Sequence, residues 1–108
     1  MQFMMEHRWD VRIAVPVSVV IHTDDGESVM STTQNISRGG MVIEAEQLEA
    51  LEDKKVVWVE FMDEDIIAKV PSYVLRCTEH TADLMFITHP EALHSYLNSL
   101  LWEDRVHH

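Results

Sequence analysis

Six β-branched residues, Val11, Ile13, Val15, Val17, Val19 and Ile21, occupy every second position of one short stretch. Between them stand Arg12, Ala14, Pro16, Ser18 and Val20, with His22 following. A period of two sends alternate side chains to opposite faces of an extended chain, so this segment predicts a strand with one face in a core. Pro16 has no N–H to give to a ladder, which points to an edge or a bulge at that position. Asp24-Asp25-Gly26 is a tight-turn sequence, and Glu27 to Ile36 is then the returning arm of a hairpin.

Further short strands follow at even spacing. Met41 to Glu44 reads as a third strand, and Ala45 to Lys55 as an acidic loop or a single helical turn. Val56 to Met62 and Ile66 to Cys77 are two more, joined at Asp63-Glu64-Asp65, and Asp83 to Thr88 is the last, after a turn at Glu79 to Ala82. The period then changes. Leu93, Tyr96, Leu97, Leu100 and Leu101 recur at helical spacing, with Pro90 and Glu91 suited to the first turn of a helix over 90–104. The predicted fold is mainly β: a small antiparallel barrel with a C-terminal α-helix across one opening.

With 108 residues, and no repeat or linker, the chain is expected to be a single domain over 1–108. No apolar run reaches bilayer-spanning length, and residues 1–8 do not read as a secretory signal, so a cytoplasmic address without membrane insertion is expected. The lone Cys77 fits a reducing compartment, and its apolar surroundings predict a buried, inert thiol. A net charge of −11 argues against DNA or RNA as a partner, since a polyphosphate needs a basic footprint. Yet Arg8, Arg12 and Arg38 all fall in the first 38 positions, Arg38 directly before Gly39-Gly40, a pattern suited to a small anion.

Two motifs organise those arginines. Arg8-Trp9-Asp10-Val11-Arg12 is an R-x-x-x-R directly ahead of the first strand, and Asn35-Ile36-Ser37-Arg38-Gly39-Gly40 is an N-x-S-x-x-G between the second and third. Together, in this order, they resemble the PilZ family of cyclic di-GMP receptors, which carries R-x-x-x-R before its first barrel strand and [D/N]-x-S-x-x-G after the second. Arg76, in Tyr73-Val74-Leu75-Arg76, also matches a frequent arginine of that family. The resemblance extends from Arg8 through the closing helix. It implies a six-stranded PilZ-like barrel that binds a bacterial second messenger, needs no cofactor or metal, and is not an enzyme.

The resemblance implies a site made of Arg8, Arg12, Asn35, Ser37, Arg38, Gly39 and Gly40. Arginine suits this ligand because its planar fork can bond the O6 and N7 edge of guanine, grip phosphate, and stack on a base. Arg8 and Arg12 are expected to share those tasks, and Arg38 to add a third contact. Asn35 and Ser37 are expected to offer polar groups to the second face of the ligand. An Asn in place of the family's frequent Asp leaves one uncharged carbonyl acceptor. Gly39 and Gly40 are expected to allow positive φ and close backbone approach under a purine. The whole cradle is expected at one mouth of the barrel.

Other features point elsewhere. The histidines show no metal-ligand spacing, and no Ser/His/Asp or Cys/His arrangement is visible in local sequence. Trp58 is expected inside the core; for Trp9 and Trp102 core packing is the first expectation, with a partner-facing position as the alternative. Asp83 stands where the family commonly has a glycine before the last strand, and His7 precedes the first arginine, a position tied to ligand copy number. Residues 1–12 are expected to form a flexible N-terminal arm that the ligand orders, which passes the signal to an unidentified protein partner. The alternative reading is a ligand-independent PilZ-like interaction adaptor, for example in pilus biogenesis or motility.

Overall fold

β1 (Ser18–His22) and β2 (Ser28–Ile36) form the hairpin that the alternation and the Asp-Asp-Gly turn predict. A computed structural model describes residues 12–45, 51, 54–63, 66 and 69–107. Gly26 closes the turn with φ of 92°, a backbone conformation that glycine adopts without steric cost. β3 (Gly40–Glu44), β4 (Val56–Phe61), β5 (Lys69–Cys77) and β6 (Thr81–Phe86) complete a closed antiparallel barrel in the order β1-β2-β3-β6-β5-β4. Pairing of β1 with β4 makes the closing seam, so none of the six strands keeps an open edge.

The first strand is shorter than its alternation predicts. Residues ahead of Pro16 run beside β2 through a single bridge, Ile13 to Ile36, made of two backbone hydrogen bonds of 2.8 and 3.0 Å. The inward phase nevertheless holds across the break: Ile13, Val17, Val19 and Ile21 are all buried. Thr33 explains how the chain crosses the irregularity. Its hydroxyl accepts the Val17 N–H at 2.9 Å, replacing a regular ladder contact next to Pro16.

Val57, Val59 and Phe61 from β4, Val70 and Val74 from β5, and Leu84 and Phe86 from β6 fill the interior. α1 (Glu91–His107) covers this core with Leu93, Tyr96, Leu97 and Leu100, the stripe set by its helical period, while Leu101 packs at the margin. The Pro90 carbonyl accepts the first helical N–H groups, from Leu93 and His94. Tyr96 anchors the helix twice. Its ring meets Phe61 edge-on at 5.6 Å, and its hydroxyl donates to Asp63 at 2.7 Å.

Both described tryptophans depart from expectation. Trp58 lies between inward Val57 and Val59, so the pleat turns it to the outer wall, where it is 37% exposed. Trp102 is 69% exposed on α1, outside the stripe that meets the barrel. Cys77, at the end of β5, packs against the margin of the core and is only partly buried.

Candidate functional site

Two β-bulges decide which side chains reach the outer wall. In β2, Thr33 pairs with Ile43 and Asn35 with Val42, so Gln34 is an extra residue in the strand. In β5, Val74 pairs with Leu84 and Arg76 with Asp83, and Leu75 is extra. Strict alternation from buried Thr33 and Val74 would turn Asn35 and Arg76 inward. One inserted residue re-aims each of them to the outside.

The result is a continuous cross-strand row. Asn35 on β2 pairs with Val42 on β3, Val42 with Asp83 on β6, and Asp83 with Arg76 on β5. Three inter-strand steps of about 4.8 Å each carry the row from β2 to β5, half-way round the six-stranded barrel. The Arg76 guanidinium stands 3.8 Å from the Asp83 carboxylate, a loose and exposed ion pair.

Arg12 joins the row at its other end. Its Nη1 donates to Asn35 Oδ1 at 2.9 Å, although 23 positions separate the two residues. The Ile13–Ile36 bridge makes this contact possible, since it fixes the backbone one residue beyond Arg12 against the backbone one residue beyond Asn35. Arg12 and Asn35, one from each motif, are therefore in direct contact. Arg8 lies outside the described residues, as does the expected arm up to residue 11.

The second motif divides its labour. Asn35 and Arg38 present side chains at the surface, and Arg38 makes no hydrogen bond or ion pair among the described residues. Ser37, Gly39 and Gly40 build the loop instead. Ser37 is buried; its N–H donates to the Gly40 carbonyl at 2.8 Å and its hydroxyl to the same oxygen at 3.3 Å. The Gly39 carbonyl accepts the Phe86 N–H at 2.9 Å, which ties the loop to β6.

Gly40 corrects the expectation of positive φ, which among the described glycines belongs to Gly26. A Cβ at Gly40 would stand 2.0 Å from the Leu84 carbonyl oxygen, so the residue is glycine because β3 and β6 approach so closely. Asn35, Asp83 and Arg76 turn to the outer wall, and the 37–39 loop joins β2 to β3 at one end of the barrel.

A family model for the PilZ domain matches residues 6–101, which includes both motifs and all six strands. The chain belongs to the PilZ family.

PilZ is a family of cyclic di-GMP-binding domains. Among solved structures, the chain is similar to the PilZ domain of CeSA from a cellulose-synthesizing bacterium, at a TM-score of 0.68 and 16% identity, over 91% of this chain and 99% of that one. It is also similar to the PilZ domain of YcgR from Escherichia coli, a structure with c-di-GMP, at a TM-score of 0.71 and 12% identity, over 90% of each chain. At these identities the likeness shows the shared fold. No curated protein matches the sequence.

This PilZ domain also holds features that local sequence does not show. Ser28 Oγ lies 3.1 Å from His22 Nδ1, and His22 Nε2 lies 2.8 Å from Glu60 Oε1. The three sit on β2, β1 and β4, so the chain of contacts spans the barrel's closing seam from outside. Reading them together requires the β1–β4 pairing, which joins residues far apart in sequence. No described helix is long and apolar enough to cross a membrane.

Proposed function

We propose that this PilZ domain is a reversible, non-catalytic receptor for cyclic di-GMP in the cytoplasm, holding the nucleotide against the outer wall of β2, β3 and β6. The single observation that carries this reading is the contact between Arg12 and Asn35, which unites the two motifs at one end of an exposed row. Arg8 and Arg12 supply guanidinium groups for guanine and phosphate, and Arg38 adds a third from the loop. Asn35 orients Arg12 by accepting from its Nη1, while Ser37, Gly39 and Gly40 hold the loop in shape beneath the ligand.

Output passes through a protein partner. Support for that half of the reading comes from the wall beside the row, where Met85, Val56, Trp58 and Ile87 are 37–46% exposed. Ligand bound across the row would draw residues 1–12 over this part of the barrel and change what a partner meets. The test is isothermal calorimetry with cyclic di-GMP on wild type and Arg12→Ala. Heat from wild type that is lost in the variant supports the receptor. Silence from wild type overturns it and favours a ligand-independent adaptor.

A further inference from the structure

We propose that Asp83 is a specificity-determining residue of this surface, accepting the N–H groups on the Watson–Crick edge of a bound guanine. The proposal rests on the receptor reading above. A guanine presents an N1–H and a 2-amino group side by side, two donors that adenine does not offer in that arrangement. A site that selects guanine by this edge needs an acceptor, and a carboxylate with two oxygens and a full charge is the strongest available.

Among the described residues, few side-chain acceptors face the row. The Asn35 carbonyl already accepts from Arg12 at 2.9 Å, and the rest of its amide is a donor. Glu44, one outward position further along β3, is engaged by Gln34 Nε2 at 3.0 Å. Asp83 has a side chain 40% exposed, and its carboxylate makes no hydrogen bond among the described residues, only the 3.8 Å approach to Arg76. It lies two inter-strand steps of about 4.8 Å each from Asn35, along the curve of the barrel wall. Between them stands partly buried Val42, an apolar floor on which a purine can lie flat. Arg76, beyond Asp83, offsets the local negative charge that would otherwise oppose the ligand's phosphates.

The test compares three ligands, cyclic di-GMP, cyclic di-AMP and the inosine analogue cyclic di-IMP, against wild type and Asp83→Asn. Wild type is expected to prefer cyclic di-GMP and to lose affinity when the 2-amino group is missing. In Asp83→Asn, cyclic di-GMP affinity is expected to fall about tenfold or more, since the charge is lost and one acceptor oxygen becomes an amide donor facing guanine's own donors. The variant's affinity for cyclic di-IMP should then approach its affinity for cyclic di-GMP. A general loss of fold would weaken all ligands equally, so the ratio between ligands reports the contact. If wild type binds cyclic di-GMP and Asp83→Asn keeps both its affinity and its ligand ratios, the Asp83 assignment alone is overturned. If wild type binds none of the three, the receptor reading falls first.

Discussion

Arg12 Nη1 and Asn35 Oδ1 meet at 2.9 Å because the Ile13–Ile36 bridge clamps the entering chain to the end of β2. The contact is exposed, so it contributes little to folding. What it does is hold the Arg12 guanidinium beside Asn35 at the end of β2.

Replacing Arg12 should therefore separate binding from stability. For Arg12→Ala, calorimetry is expected to show cyclic di-GMP affinity lower by about 10- to 100-fold, as for loss of charge-assisted hydrogen bonds. Its melting temperature should stay close to that of wild type. Arg12→Lys should restore little of the affinity, because an ammonium has the charge without the planar fork.

Gly40 should behave in the opposite way. With a Cβ placed 2.0 Å from the Leu84 carbonyl oxygen, Gly40→Ala must move β3 away from β6. The expected cost is about 1–3 kcal/mol or more, the range for forcing atoms into a packed interior. Thermal unfolding measures it, at roughly 4–8 °C per kcal/mol for a domain of this size. Loss of ligand binding in that variant would report the fold.

The latch between α1 and the barrel can be tested by Tyr96→Phe. The ring contact with Phe61 survives, but the hydrogen bond to Asp63 is lost. Denaturant unfolding should show destabilisation of about 1 kcal/mol with an unchanged slope.

One carboxylate offers a pH test. Asp25 is held below the ordinary Asp value of 3.8, first by the hydrogen bond from the Thr23 hydroxyl and then by the Glu27 backbone N–H. Because its folded value is depressed, its contribution to stability is present above the unfolded value and is lost as pH falls through the folded one. Side-chain NMR titration should place Asp25 below 3.8 in wild type and closer to it in Thr23→Val. An unchanged titration in the variant would rule out the hydroxyl as the main cause.

Much of the barrel was readable from the chain alone. The alternation from Ile13 to Ile21 names the buried face of the first strand despite the break at Pro16, because side-chain direction in extended chain is a local property. The stripe Leu93, Tyr96, Leu97 and Leu100 names the helix face that meets the core for the same reason. The two motifs, by their residue types and order, lead to the PilZ family, and one residue from each, Arg12 and Asn35, meet in the structure.

Other properties became visible only with the strands paired. Bulges at Gln34 and Leu75 turn Asn35 and Arg76 outward, against the phase that alternation assigns them. Asp83 joins the outer row through its register with Val42 and Arg76, and Gly40 is required by the nearness of Leu84 on another strand. Trp58 lies outside because its neighbours Val57 and Val59 take the core. Periodicity along a strand depends on the residues of that strand. Register, bulges and close approach depend on which strand lies beside it, and that is settled when the barrel closes.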